Sequence, residues 1–266
     1  MIGSPRYPGQ GPIPGCGDLP FGNDPLRYAI ISDIHGNIQA LEAVMDSVKS
    51  QGADSVLCLG DVVGYGARPA ECVEMVRETC RVVLLGNHDA AAVGKTPVDY
   101  FNPLARSAIE WTRKALHDEI SGYLRDRPLL FDDEFCAATH ATFSDPEAWD
   151  YILSPYEAAP EFESSESRIL FYGHTHFPAI FVSDGRRVEG IRARDIALED
   201  RKRYLINVGS VGQPRDGNPA SCYLIFDAVQ GKITYHRIPY DIESSQRDIL
   251  ATKIPAELAV RLSYGR

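Results

Sequence analysis

Short apolar runs alternate with helical patterns in the first part of the chain. The runs are Tyr28–Ser32, Ser55–Gly60 and Arg81–Gly86. After Asn37, a suitable N-cap, apolar residues recur with the spacing of one helix face, and Pro69 stands near the start of a second helical segment. The order strand, helix, strand, helix, strand predicts parallel pairing with right-handed crossovers.

The later part of the chain is richer in strands. Helical spacing extends from Pro103 to Leu124, and the polar, proline-containing residues 145–167 are predicted to form an irregular helical insertion. Further strands are predicted at Glu134–Thr142, at Arg168–Gly173, in a hairpin across Asp184 and Gly185, and at residues 204–209, 222–228 and 232–240. A last helix is predicted at Ile242–Thr252 after the capping residue Asp241, with a short one opened by Pro255. Parallel units followed by mostly antiparallel strands predict an α/β fold with two sheets packed face to face and helices outside.

Chain length and glycine content divide the chain into two parts. A chain of 266 residues with 44% apolar residues is long enough for one large core, which we assign to residues 26–266 as a single domain. Residues 1–25 contain six glycines and six prolines. Such a segment buries too little apolar surface to offset its ordering entropy, so it is predicted to be a disordered or loosely ordered arm.

Charge and cysteine usage exclude several classes of protein. The formal net charge of -10 argues against binding of long nucleic acids, although it leaves room for a small anionic substrate beside bound metal ions. The six cysteines include no C-x-x-C pair, which favours free thiols in a reducing compartment. No apolar stretch approaches the roughly 18 residues that span a bilayer, and no signal core opens the chain. A cytoplasmic protein without membrane partners is therefore expected, with its oligomeric state, including a homo-oligomer, left open.

Five polar clusters follow predicted strands. They are Asp33-Ile34-His35, Gly60-Asp61, Gly86-Asn87-His88-Asp89, His140, and Gly173-His174-Thr175-His176. Five of the seven histidines of the chain lie in these clusters. Residues at the carboxyl ends of several strands converge on one crevice in an open α/β sheet, so these side chains are expected to meet.

The side chains in these clusters are typical metal ligands. Imidazole, carboxylate and amide oxygen without thiolate suit manganese, iron, zinc or nickel. In Asp33-Ile34-His35 both outer side chains can reach one ion, and a carboxylate such as that of Asp61 can bridge two. Two ions about 3.5–4 Å apart can clamp the attacking and leaving oxygens of a displacement at phosphorus, and a hydroxide that bridges them can be the nucleophile.

Each cluster alone has an ordinary structural explanation. Asp33 and His35 can belong to a capped turn, Asn87 and Asp89 can cap a helix, and His140 can be a buried core histidine. His174 and His176 are more informative, because alternate residues at a strand end face the same side. The occurrence of all five clusters at strand ends favours a metal centre over five independent explanations.

The order D-x-H, G-D, G-N-H-D, H, G-H-T-H resembles the calcineurin-like metallophosphoesterase family over about residues 26–262. The strings SDIHGN, GDVVGYG, LLGNHD, YGHTH and NVGSVGQPRDGNP are similar to its small bacterial branch, described as phosphodiesterase-like or diadenosine-tetraphosphatase-like. The resemblance implies a four-layer αββα sandwich with a dinuclear centre at the strand ends. Two divalent transition-metal ions are the implied cofactors, with Mn²⁺ favoured over Fe²⁺, Zn²⁺ and Ni²⁺.

The resemblance also implies a role for each motif residue. One ion would be held by Asp33, His35 and His176, the other by Asn87, His140 and His174, with Asp61 as the bridge. His88 would act on the phosphoryl group as a charge-stabilising residue and proton donor, and Asp89 would orient it.

One departure from the family bears on the substrate. The protein phosphatases of this superfamily carry G-D-x-x-D-R-G, whereas this chain has Gly60-Asp61-Val62-Val63-Gly64-Tyr65-Gly66 and lacks the phosphate-gripping arginine. Tyr65, Arg68 and Arg215 are the candidate substrate-binding residues, although both arginines have solvated surface positions as an equal alternative. The leading hypothesis is hydrolysis of a small phosphodiester or a dinucleoside polyphosphate, so that a nucleotide is among the expected partners. The alternatives are a phosphomonoesterase or protein phosphatase and, from another class, a catalytically silent metal-binding interaction module.

Overall fold

The computed structural model describes residues 27–266, so the predicted arm at residues 1–25 lies outside the described residues. The strands are β1 Arg27–Ile31, β2 Ser55–Cys58, β3 Val82–Val83, β4 Leu130–Asp132, β5 Ala137–Thr139, β6 Ile169–Tyr172, β7 Ala179–Ser183, β8 Val188–Arg192, β9 Ile196–Ala197, β10 Arg203–Asn207, β11 Ser221–Asp227 and β12 Lys232–Ile238. The α-helices are α1 Ile38–Ser50, α2 Pro69–Thr79, α3 Asn87–Ala92, α4 Pro103–Ala115, α5 Asp118–Arg125, α6 Pro155–Glu163, α7 Ile242–Leu250 and α8 Glu257–Val260. Short 3-10 helices lie at Val98–Tyr100 and Arg261–Tyr264.

The strands form two six-stranded mixed sheets. The first has the order β3-β2-β1-β11-β12-β9, in which β1, β2 and β3 pair in parallel and β11 pairs antiparallel with β1. The second has the order β4-β5-β6-β10-β7-β8, in which β5, β6 and β10 are parallel and the outer pairs are antiparallel. The predicted change from parallel units to antiparallel strands is confirmed.

Alternate residues of β1 face different layers of the molecule. Tyr28 and Ile30 belong to the cluster between the two sheets, where Phe171 and Ile206 from the second sheet meet them. Ala29 and Ile31 point the other way, into the cluster beneath α1 and α2. Leu170, Leu205 and Phe162 pack together on the outer face of the second sheet, under α6. The resulting helix, sheet, sheet, helix arrangement confirms the four-layer αββα expectation.

Several helix boundaries follow local sequence signals. The side chain of Asn37 accepts a hydrogen bond from the Ala40 amide at 3.2 Å and caps α1, as predicted. Pro69 is the first residue of α2, and Asp241 caps α7 through the Ser244 amide at 2.9 Å. All five cysteines in the described residues are free thiols, also as predicted.

The structure differs from the predicted elements in two respects. The helical segment from Pro103 to Leu124 is two helices, because Leu116 adopts an extended backbone between α4 and α5. The insertion at residues 145–167 is, by contrast, as predicted, since an irregular stretch precedes one helix, α6. The short strands β4 and β9 carry no sequence signal of their own, since three and two residues are too few for an alternating pattern.

The topology brings five loops to one edge of the sandwich. The loops after β1, β2 and β3 lie at the carboxyl ends of parallel neighbours in the first sheet, and those after β5 and β6 do so in the second. Asp33, Asp61, Asn87, His140 and His174 lie near the starts of these loops. Within residues 27–266, no helix combines the length and the apolarity that crossing a bilayer requires.

We expect Leu57→Ala to destabilise the chain by about 2–5 kcal/mol, because Leu57 is 1% exposed between the two sheets and its removal leaves a cavity. The matched control is Leu250→Ala, since Leu250 is 58% exposed at the end of α7 and should change stability by about 0.5 kcal/mol or less. Urea unfolding monitored by circular dichroism measures both. Equal losses for the two variants would contradict the layer arrangement.

Candidate metal centre

The loops at this edge hold their polar residues in an uncommon backbone conformation. Asp33, His35, Asp61, His174 and His176 have φ values of 55°, 53°, 51°, 64° and 59°. Non-glycine residues rarely adopt the left-handed region, and residues held there cluster at functional sites. The turns direct all five side chains inward, where each is at most 5% exposed.

Close approach of the loops depends on a glycine. A Cβ atom at Gly86 would collide with the carboxylate and the backbone nitrogen of Asp61. Any larger residue at this position would therefore displace Asp61 from the position it shares between two groups of ligands.

The first group consists of Asp33, His35, Asp61 and His176, whose potential ligand atoms all lie within 4.8 Å of one another. His176 Nε2 lies 3.3 Å from Asp33 Oδ1, and His35 Nε2 lies 3.6 Å from Asp61 Oδ2. The two imidazoles approach each other at 3.0 Å through their Nε2 atoms. These are the three ligands predicted for the first ion together with the predicted bridging carboxylate.

The second group consists of Asp61, His140 and His174. His140 Nε2 lies 3.4 Å from Asp61 Oδ2 and 3.2 Å from Asn87 Oδ1. The amide oxygen of Asn87 therefore joins this group, although Asn87 itself is at the start of α3. Asp61 belongs to both groups, as a bridging ligand must.

The opposite ring nitrogens of three histidines are held by backbone carbonyl oxygens. The Nδ1–O distances are 3.1 Å for His35 to Val63, 2.9 Å for His140 to Leu59 and 2.7 Å for His176 to Gln213. A carbonyl oxygen only accepts, so each Nδ1 carries a proton, and the neutral imidazoles of His35 and His176 each present an Nε2 lone pair to the centre. Gln213 follows β10 and was missed in the sequence, because backbone carbonyls leave no residue-type signal.

These lone pairs require a positive charge between them. His35 Nε2 and His176 Nε2 are 3.0 Å apart, and with both Nδ1 atoms protonated neither can donate to the other. In addition, Asp33 Oδ1 and His174 Nε2 are buried without a hydrogen-bond partner among residues 27–266. Unsatisfied buried polar atoms cost about 1–3 kcal/mol each, so the donor set fits bound cations.

The pKa values of the residues in the centre depend on burial and on neighbouring carboxylates and imidazoles. Burial lowers the pKa values of His35 and His176 and keeps their imidazoles neutral. Burial opposes the charged form of His140 as well, but the carboxylates of Asp61 and Asp33 outweigh it and raise the His140 pKa to about 9. Burial likewise opposes ionisation of Asp61, yet the surrounding imidazoles, His140 first, lower the pKa of that carboxyl.

His88 lies beside the two groups and belongs to neither. Its backbone amide donates to Asp61 Oδ1 at 2.8 Å, and its ring lies 4.5 Å from the Tyr65 ring and 5.1 Å from the Phe101 ring. Burial lowers the pKa of His88 to about 4. A Cβ atom at Gly64 would approach the imidazole of His88 to 2.5 Å from Nδ1, so the glycine makes room for this ring.

Asp89 is placed differently from the sequence expectation that it orients the His88 imidazole. Its two oxygens accept from the backbone amides of Val62, Val63 and Gly86 at 3.2, 3.0 and 3.1 Å. Asp89 therefore ties the loop after β2 to the loop after β3 and holds Asp61 and His88 indirectly. Adjacency in the sequence suggested that Asp89 contacts the His88 imidazole. In the first turn of α3, however, the Asp89 carboxylate points back toward these backbone amides.

The three candidate substrate-binding residues are not all near the centre. Tyr65 and Arg215 line a cavity of about 630 Å³ over the ligand groups, and Arg215 Nη2 donates to the Tyr65 hydroxyl at 3.3 Å. Arg68 does not line this cavity. Its guanidinium instead pairs with Glu71 at 2.6 Å and with Asp248 at 3.2 Å.

The cavity also has walls that the sequence analysis did not identify. Trp149 and Tyr151 precede α6, and Tyr100 and Phe101 precede α4. The Tyr151 ring stacks on that of His174 with centroids 4.3 Å apart, and the Trp149 ring lies 6.0 Å from that of His140. Both segments are polar and lack periodicity, so only aromatic residues within otherwise polar loops could have indicated them.

Comparisons with a family model, with related sequences and with solved structures agree with one another. The calcineurin-like phosphoesterase superfamily domain matches residues 26–231. The uncharacterized protein MJ0912 of Methanocaldococcus jannaschii is 39% identical over 242 residues, which are 90% of this chain and 98% of that protein. Phosphodiesterase YfcE of Escherichia coli is 25% identical over 206 residues, which are 74% and 85% of the two chains. A metallophosphoesterase from Sphaerobacter thermophilus, known from its crystal structure, superposes with a TM-score of 0.81 at 36% identity, covering 91% of this chain and 100% of that one.

We expect Asp61→Asn to lower the metal content of the chain at both positions, because Asp61 alone belongs to both ligand groups. His140→Ala should lower it at one position only. Inductively coupled plasma mass spectrometry after loading with Mn²⁺, Zn²⁺ or Ni²⁺ measures the ions per chain, and Arg68→Ala is the control that keeps them. Full metal content in Asp61→Asn would exclude the bridging role.

Proposed function

This chain belongs to the calcineurin-like phosphoesterase superfamily, and we propose that within it the chain hydrolyses a small phosphodiester or a dinucleoside polyphosphate with two divalent ions. The family and its phosphodiesterase and metallophosphoesterase relatives make it a metal-dependent phosphoester hydrolase. Small phosphorylated compounds are the substrates of such an enzyme. The diester or polyphosphate preference and the identity of the ions, of which we favour Mn²⁺, are the parts proposed.

The shared carboxylate of Asp61 is the observation that carries the two-ion proposal. Its Oδ2 lies 3.6 Å from His35 Nε2 in one group and 3.4 Å from His140 Nε2 in the other. When bound, two divalent ions would polarise the phosphoryl oxygens and lower the pKa of a water toward neutrality. Oxygen and imidazole donors without thiolate support Mn²⁺ as the first ion to test.

His88 supports the catalytic part of the proposal. The amide-to-Asp61 hydrogen bond holds it at the centre while its imidazole lines the cavity. There the ring can donate to a phosphoryl oxygen or to the leaving oxygen. Neither ligand group includes His88, so its proposed role can be tested independently of metal binding.

The single arginine of the cavity lining supports a phosphodiester over a phosphomonoester. Arg215 is the single arginine among the lining residues, and it already donates to Tyr65 and to Gln213 at 3.3 and 3.1 Å. A phosphomonoester dianion calls for a bidentate arginine, whereas a diester carries one negative charge. A volume of about 630 Å³ also leaves room for a second substituent.

A phosphomonoesterase is the second candidate, and Arg215 is the observation that favours it. Its Nε atom is buried without a hydrogen-bond partner in the described part of the chain. A dianionic phosphoryl group would satisfy that atom, so the two candidates differ in how much they depend on Arg215.

We expect His88→Ala to lower kcat by about 10²–10⁴ while metal content stays unchanged, since the imidazole acts on the phosphoryl group. Steady-state kinetics and metal analysis of the same sample measure both quantities. His117→Ala is the control, because His117 is exposed before α5 and away from the cavity. Loss of metal in His88→Ala would place His88 among the ligands.

We expect a small aryl or nucleotide diester, or a dinucleoside polyphosphate, to have a higher kcat/KM than a phosphoserine peptide when all are compared with Mn²⁺. Arg215→Ala should then reduce diester hydrolysis less than phosphomonoester hydrolysis, because a dianion depends more on the guanidinium. A peptide substrate better by tenfold, about 1.4 kcal/mol in transition-state binding, would favour the second candidate instead.

A further inference from the structure

Two segments outside the metal-binding motifs present aromatic rings to the cavity. Trp149 and Tyr151 come from the irregular stretch before α6, and Tyr100 and Phe101 come from the 3-10 helix and its end before α4. Tyr100 is 84% exposed and Tyr151 is 50% exposed. Large aromatic rings left accessible beside a cavity are typical of a surface that binds a partner or ligand.

The segment with Trp149 and Tyr151 is held at both ends. The Thr142 hydroxyl donates to the Asp145 carbonyl oxygen at 2.8 Å before it, and the buried Tyr172 hydroxyl donates to the Ile152 carbonyl oxygen at 3.2 Å after it. Between these anchors Trp149 has a φ of 57°. A bulky residue in the left-handed region is an outlier that persists only where the surrounding structure imposes it, and such outliers cluster at functional sites.

The segment with Tyr100 and Phe101 is anchored as well. Asn102 caps α4 by accepting from the Leu104 and Ala105 amides at 3.1 and 3.0 Å, which fixes the backbone next to Phe101. The Phe101 amide donates to the Val98 carbonyl oxygen at 3.1 Å. The rings on this side are therefore presented on a defined backbone close to His88, whose ring lies 5.1 Å from that of Phe101.

The aromatic rings adjoin both sides of the metal centre. Phe101 contacts His88, whereas Tyr151 stacks on His174 at 4.3 Å. A phosphoryl group at the centre would carry its substituent into the cavity that these rings line. A planar aromatic substituent can stack there, while an alkyl chain gains only contact area.

We propose that the rings of Tyr100, Phe101, Trp149 and Tyr151 form a stacking subsite for a planar aromatic substituent on the phosphorus of the substrate. The inference rests on the proposed function, since it assigns the substituent that the phosphoester carries into the cavity. Aryl esters and nucleoside esters share the required chemistry, a flat ring attached to a phosphoryl group. They differ in the distance between ring and phosphorus, which the test below resolves.

Phosphonates test the subsite without turnover, because their carbon–phosphorus bond is not hydrolysed. The probes are methylphosphonate, phenylphosphonate and the methylene phosphonate analogue of adenosine 5′-monophosphate, titrated into the metal-loaded protein by calorimetry. At least one ring-bearing probe should bind about tenfold more tightly than methylphosphonate, the size expected for one stacked ring. Preference for the phenyl probe assigns an aryl ester, and preference for the adenosine probe assigns a nucleotide. Equal binding of all three overturns the proposal.

Two double variants distinguish the effect of ring stacking from that of side-chain size. The measured quantity is the affinity for the preferred ring-bearing probe divided by that for methylphosphonate. The double variant Tyr100→Phe with Tyr151→Phe keeps the rings and should keep this ratio. The double variant Tyr100→Leu with Tyr151→Leu should reduce the ratio about tenfold at unchanged metal content. Tyr156→Leu is the matched control, because Tyr156 is 89% exposed on α6 and does not line the cavity. An unchanged ratio in the leucine pair overturns the proposal.

Tryptophan fluorescence gives a second readout. The chain has two tryptophans, so Trp111→Phe leaves Trp149 as the reporter. Its emission should respond to the preferred ring-bearing probe and not to methylphosphonate, and an unresponsive Trp149 would remove it from the subsite.

Parallel assays with phosphodiesters distinguish the subsite from the proposed function. Ring-dependent binding without hydrolysis of either a diester or a dinucleoside polyphosphate upholds the subsite and contradicts the proposed function. Diester hydrolysis with equal phosphonate binding upholds the function and overturns the subsite.

Discussion

The buried carboxylate of Asp61 is the constraint on which the arrangement of the site depends. It is 1% exposed and is shared by two groups of candidate ligands, each of which combines residues that follow strands of both sheets. Its position requires a left-handed backbone at Asp61, a glycine at position 86 and the amide of His88. A buried charge of this kind is tolerated only when cationic partners and hydrogen bonds surround it. The face-to-face packing of the sheets therefore serves to bring ligands from both to one carboxylate.

A rigid frame of backbone contacts surrounds that carboxylate. Asp89 joins two loops through three amides, and three carbonyl oxygens fix the imidazoles of His35, His140 and His176. The frame holds lone pairs close together, which is unfavourable in the protein alone and favourable around cations. Stability of this edge and metal binding are thus coupled, because a bound cation relieves the repulsion that the fold imposes.

The candidate metal ligands and the walls of the cavity come from different parts of the chain. The ligands follow strands of the central sheets, where register and parallel pairing fix them. The cavity walls come from the segments before α4 and α6, which hydrogen bonds anchor at only a few points. Under the proposed function, the outer segments would contact the substituent while the centre acts on the phosphoryl group.

The sequence by itself determined the order of the longer elements, the αββα class and the set of metal-binding candidates, but not the short strands β4 and β9. Strand runs such as Tyr28–Ser32 and caps such as Asn37 are local signals, and parallel strands place their carboxyl ends at a common edge. Only the tertiary structure decided that Arg215 lines the cavity and Arg68 does not, that Asp89 binds amides and that Trp149 and Tyr151 form a wall. The physical reason is range: periodicity and capping act within a few residues, whereas these contacts join segments far apart in the chain, and their partners follow from how the two sheets pack.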